Sequence, residues 1–155
     1  MRPIAAAFLP LTLGVISGVP ADRPGTQVLD MVARRAEQVG CDAWRTLLGG
    51  CHRPARTEFS TSVRRLSLAA GIFVGEHWSN GVCSGHRDRI TRYQCELETA
   101  FSDGDGAGFA EAFARYDDAL ARAVLIGGAV GAVDLATDTH ICLTNPGRPT
   151  AEHPG

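Results

Sequence analysis

Four stretches of the chain repeat apolar residues at spacings of three and four, the period of a helix with one buried face, and no other feature narrows the fold as much. In the first, Val28, Val32, Ala36 and Val39 recur, and Leu47 or Leu48 carries the stripe past Gly40. A helix over about 27–48 follows, ended by Gly49-Gly50. The second sets Phe59, Val63, Leu66, Ala70, Phe73 and His77 on one face and is expected to end at Ser79-Asn80-Gly81. Ile90, Tyr93, Leu97 and Ala100 or Phe101 mark the third. After a break rich in Gly and Asp from Ser102 to Gly108, the fourth carries Phe109, Phe113, Tyr116, Leu120, Val124 and Gly127. Short links between such segments predict an all-α domain, a small antiparallel bundle of about four helices. Strand signals are confined to Ala129–Val133 and Thr139–Leu143.

At 155 residues the chain is one domain's worth. A chain of that size buries roughly two thirds of its unfolded surface, so covalent staples are useful but not obligatory. A formal charge of -2, from 15 basic and 17 acidic residues spread along the sequence, leaves no electrostatic footprint for nucleic acid or anionic lipid. The hydrophobic content, 45%, excludes wholesale disorder.

The opening 21 residues have the composition of a secretory leader. Arg2 gives a minimal positive start, Ile4 to Val15 is apolar, and Val19-Pro20-Ala21 offers a cleavage site before Asp22. Pro10 in mid-run argues against a helix of the mature fold, since an interior proline costs about 3 kcal/mol. The expected organisation is therefore a removable leader over 1–21, a flexible lead-in over 22–26, one helical domain over 27–144 and a frayed tail from Asn145 with Pro146, Pro149 and Pro154. The nearly uncharged run Ala119–Ala136 contains Arg122, Asp134 and three glycines, which favours a buried helix end over a membrane span. No stable span is expected after processing, and the location is secreted or periplasmic.

In an exported chain Cys41, Cys51, Cys83, Cys95 and Cys142 most simply form two disulfides and leave one thiol over. Cys51 and Cys83 flank the second helix and are separated by roughly 30 Å along it, too far to bond each other. Cys83 and Cys142 could share one end of the bundle, and Cys41 could face Cys51 or Cys95. Cys41 with Cys51 is preferred, because Gly49-Gly50 lets the chain turn back. Zinc is the competing use: Cys51, His52, Cys83, His86 and Cys95 are ligand types it takes, and Cys83-x-x-His86 is a spacing it tolerates. A reducing compartment would favour that reading.

Ser102-Asp103-Gly104-Asp105-Gly106 between two helices resembles part of an EF-hand loop, which implies calcium on Asp103, Asp105 and Glu111. The pattern departs at both ends, with Phe101 at the first ligand position and Ala112 at the last. Cys83-Ser84-Gly85-His86, with Tyr93 and Cys95 behind it, resembles the active-site stretch of secreted phospholipase A2 enzymes. That resemblance implies a hydrolase in which His86 is oriented by Asp117 or Asp118, assisted by calcium. Here Arg87 follows the histidine where the family has a calcium-binding aspartate, and no glycine-rich calcium loop precedes it. Glu76-His77 lie side by side on a helix, about 100° apart, and do not face each other. No glycine-flanked serine elbow, HExxH motif or phosphate-cradling Gly-Lys-Ser/Thr loop occurs.

The reading that results is a small exported, disulfide-stapled helical protein with a binding or structural role toward a protein or small molecule, without a required cofactor. The secreted hydrolase and a cytosolic zinc-stabilised helical domain stand as alternatives.

Overall fold

The computed structural model describes residues 8–49, 56–75, 78 and 84–144, with Arg56 and 129–144 by backbone alone. Five helices and no strand occur among them: α1 (Pro10–Ser17), α2 (Thr26–Gly49), α3 (Arg56–Val74), α4 (Ser84–Asp103) and α5 (Gly106–Thr144). The all-helical expectation stands, with one helix more than anticipated. None of the described helices is long and apolar enough to cross a membrane.

The four longer helices pair as two hairpins, α2 with α3 and α4 with α5, and α3 also packs on α4 and α5. The α3 stripe is buried as its spacing requires: Phe59, Val63, Leu66, Ala70 and Phe73 all lie in the core. So do Ile90, Leu97, Ala100 and Phe101 of α4, and Phe109, Phe113, Tyr116, Leu120 and Val124 of α5. Aromatic rings join the helices, with the Phe59 centroid 4.8 Å from Phe101 and 5.5 Å from Phe109. One polar knot sits among them. The Ser67 hydroxyl donates to Gln94 Oε1 at 2.8 Å and lies 2.8 Å from the Tyr116 hydroxyl, which is 3.1 Å from the Val63 carbonyl oxygen. Burial raises the Tyr116 phenol far above its usual value, so it stays protonated and ties α5 to α3.

The α2 stripe sits elsewhere than its most hydrophobic residues indicate. Leu29, Ala33, Ala36, Val39, Gly40 and Ala43 are buried, whereas Val28 is exposed and Val32 only half-buried. Small residues let α2 approach α5: a Cβ on Gly40 would lie 2.9 Å from the Phe113 ring. α3 stops at Val74, where Gly75 takes φ +75°, ahead of the expected stop at 79–81. His77 and that expected stop lie outside the described residues. Between α4 and α5, Gly104 at φ +71° turns the chain and Asp105 Oδ1 accepts the Gly108 N–H at 2.9 Å as an N-cap. α5 then continues as helix through 129–144, which takes in both stretches with strand signals; Ala and Leu favour helix there despite the valines.

The leader-like run is the largest departure. Leu9, Thr12 and Ile16 are core residues, and α1 packs on α5 and α2. Pro10 occupies the first helical turn, where its missing N–H costs nothing. The remaining donors at that end are taken by carboxylates from two other helices. Glu37 of α2 accepts the N–H of Phe8 at 2.8 Å and of Leu9 at 2.7 Å. Asp117 of α5 accepts the N–H of Thr12 at 2.8 Å and of Leu11 at 3.1 Å. A helix N-terminus carries partial positive charge, so the two acids complement it electrostatically as well. Residues 18–25 are the turn into α2, held by Arg23, whose guanidinium donates to the carbonyls of Gly128 at 2.8 Å and Gly127 at 3.1 Å and lies over the Phe73 ring.

Sulfur does not staple the described residues to one another. Cys41 carries its thiol toward Glu37 Oε1, 3.8 Å away and one turn back on its own helix, and Cys95 is exposed on α4. Among the described residues no two sulfurs lie at bonding distance, so the stapling expected from the cysteines is not seen there, and apolar packing joins these helices. Cys51 and Cys83 lie outside the described residues, as does the side chain of Cys142. The tail from Asn145 lies outside them too.

Candidate functional site

The two acids offered as partners for His86 are both engaged elsewhere. Asp117 is 2% exposed, and its two oxygens hold the first turn of α1. Asp118 meets Arg122 one turn on, at 3.0 Å. His86 itself lies in the first turn of α4, half-buried, with Nδ1 buried and unpartnered. Burial, then the positive charges of Arg89 and Arg122, lower its pKa, against a smaller opposing pull from Asp118. The result is a neutral imidazole without an orienting carboxylate among the described residues, which a His-Asp hydrolase requires.

Asp103, Asp105 and Glu111 line a polar furrow of about 490 Å³ between α4 and α5, together with Cys95, Arg92 and Arg115. They do not converge. Asp105 is spent on the α5 cap, Glu111 pairs with Arg115, and Arg92 faces Glu96 at 3.6 Å. Among the described residues no three His, Cys, Asp or Glu side chains gather as ligands for one ion. Of the zinc candidates, His86 and Cys95 sit nine residues apart on α4, about 13 Å along its axis. Cys51, His52 and Cys83 lie outside the described residues.

A different feature draws together groups with nothing else to do. Between α2 and α3 runs a groove of about 650 Å³, walled on one side by Met31, Val32 and Arg35 and on the other by Thr57, Glu58, Thr61, Ser62 and Arg65. Ligand pockets commonly span about 300–1,000 Å³ and combine apolar walls with a few placed polar groups. Arg35 and Glu58 close one end as an ion pair at 2.7 Å. Toward the other end, where Phe73 meets Gly25, the same two helix faces carry Val28 (53% exposed), Met31 (64%), Leu68 (65%) and Ile72 (68%). Positions 58, 61, 65, 68 and 72 alternate by three and four, so they form one ridge of α3. Four large apolar side chains this exposed, on facing ridges, mark a surface suited to contact.

Polar groups in the groove are incompletely used. Ser62 is only 8% exposed, lines the groove, and its hydroxyl makes no hydrogen bond among the described residues. Arg65 has no ion pair among them, whereas neighbouring Arg64 bonds Glu98 at 3.1 Å and Arg34 bonds Asp30 at 3.1 Å.

Sequence reasoning named Val28 and Val32, as members of a buried stripe, and singled out none of the others. The available signal was a second apolar row, Val28 and Met31 on α2 with Leu68 and Ile72 on α3, beside the buried stripes. Comparison of the chain with protein-family models, with curated proteins and with solved structures gives no match.

Proposed function

We propose that this chain is a small helical binding protein that holds an apolar ligand in the groove between α2 and α3. The observation that carries the reading is a groove of ligand size lined in part by Met31 and Val32, with Val28, Leu68 and Ile72 exposed on the same two helices beyond its end. Burying one such side chain is worth about 1.5–3 kcal/mol, so a ligand covering several gains enough for useful affinity.

Segment 8–17 belongs to the working protein in this reading, because Leu9, Thr12 and Ile16 complete the core. Export, suggested by composition alone, would then proceed with that segment retained. Intact mass of protein recovered from its native host is expected to include it.

The binding test uses a neutral fluorescent probe, N-phenyl-1-naphthylamine. Saturable one-to-one binding is expected for the wild-type chain, and loss of it in Met31→Asp and in Leu68→Asp, with thermal midpoints unchanged. Binding that neither substitution weakens, or no binding by the folded wild type, defeats the proposal.

A further inference from the structure

Resting on that groove reading, we infer that the ligand is an anionic amphiphile, an unbranched acyl chain ending in a carboxylate, with its head held by Arg65 and Ser62. Charge in the groove points to the sign. Its three ionisable side chains are Arg35, Glu58 and Arg65; the first two neutralise each other at 2.7 Å, and Arg65 leaves one positive charge over. The other arginines of these faces, Arg34 and Arg64, already have Asp30 and Glu98. One negative charge completes the set.

The head group's identity follows from the donors. Ser62 and Arg65 are three residues apart on α3, which places them side by side on the helix surface. A hydroxyl beside a guanidinium suits a carboxylate, which accepts a forked pair of N–H bonds and has a further lone pair for the serine. Ser62 is available for that further bond, since the residue is 8% exposed, lines the groove and makes no side-chain hydrogen bond among the described residues.

Direction comes from the antiparallel pairing of the helices. Arg35 meets Glu58 at one end, and Gly25 meets Phe73 at the other. The groove's lining on α3 ends at Arg65; beyond it, over the seven residues to Ile72, about 10 Å of helix, α3 carries no charge and exposes Leu68 and Ile72, as α2 exposes Val28. A chain anchored at Arg65 therefore runs from the mouth of the groove over this exposed apolar face. A second copy of this protein fits less well, because each copy would bring the same surplus positive charge to the contact.

The test titrates the full chain with dodecanoate below its micelle concentration, with methyl dodecanoate and with acetate, each displacing the neutral probe. Dodecanoate is expected to bind at least tenfold more tightly than its methyl ester, and acetate not measurably. Arg65→Gln is expected to weaken dodecanoate about tenfold and leave the ester unchanged; Ser62→Ala acts the same way, more mildly. Arg115→Gln, in the α4–α5 furrow, is the control and should change neither. Equal affinity for acid and ester, or an Arg65→Gln effect on both alike, overturns the carboxylate head while the groove still binds. Displacement by a synthetic amphipathic helix but by no dodecanoate overturns it in favour of a protein partner. Failure of the neutral probe itself to bind defeats the groove reading instead.

Discussion

α1 and the outer face of the α2–α3 hairpin have similar apolar content and opposite fates. At α1 Leu9 and Ile16 are buried, and every free donor of the first turn has a carboxylate. On the hairpin face, large side chains stand in solvent beside a cation and a hydroxyl without partners among the described residues. The contrast separates what the fold uses for its own stability from what it leaves for something else. Substitutions should then divide: those at the α1 seam lower stability, and those in the groove alter binding alone.

The sharpest way to break the comparison is removal of residues 1–21. Deletion takes Phe8, Leu9 and Ile16 from the core, each worth about 1.5–3 kcal/mol, and leaves Asp117 buried without its donors, a further 3–5 kcal/mol or so. Domains have only about 5–15 kcal/mol in total, so cooperative unfolding should disappear from denaturant and thermal scans. A truncated chain that melts as the full one does would refute the structural role of α1.

Asp117→Ala comes next. It strands the Leu11 and Thr12 amides, at about 1–3 kcal/mol for each buried donor, and urea denaturation reads the loss. Asp117→Asn adds a pH dependence. Burial, with a smaller push from the neighbouring Asp118 charge, raises the Asp117 carboxyl above the usual value against the opposing hydrogen bonds from Thr12 and Leu11. A raised value in the fold means that the folded state holds the proton more tightly than the unfolded chain does. Its contribution is complete below the ordinary carboxylate value and is lost as pH rises through the raised one. The stability difference between wild type and Asp117→Asn should therefore shrink from pH 4 toward neutrality.

Gly40→Ala should cost about 1 kcal/mol in the same assay. Its methyl meets a Phe113 ring held by Phe8, Phe59 and Phe109, and overpacking of about 1–3 kcal/mol exceeds the helix-propensity gain of about 1 kcal/mol. Smallest of all, Met31→Asp and Leu68→Asp should stay within about 0.5 kcal/mol of wild type, as exposed substitutions do. A large loss there would mean that the ridges serve the fold, and the division between the two regions would fall.

Legibility in the sequence followed the strength of the local pattern. The α3 stripe was plain because Phe59, Val63, Leu66, Ala70 and Phe73 contrast with the arginines and hydroxyls between them. On α2 the same rule was half right: Ala36 and Val39 are buried as read, but Val28 and Val32 are not, and Ala33, Gly40 and Ala43 went unread because they carry little hydrophobicity and are buried for their small size. α1 was harder to read for a different reason. A leader and a short buried helix share a composition, and the acids that hold α1 in the fold lie 29 and 105 residues away at Glu37 and Asp117. The groove was illegible because Ser62 and Arg65 are ordinary helix-surface residues until their neighbours are counted.

The span between Thr12 and Asp117 sets a timetable for synthesis. At about 5–20 residues per second, the opening segment waits roughly 5–20 s after leaving the ribosome before its acidic cradle exists. Through that interval it is an uncovered apolar stretch of the nascent chain. Whatever meets it first competes with its own fold, because the α5 side of its seat emerges only 105 residues later.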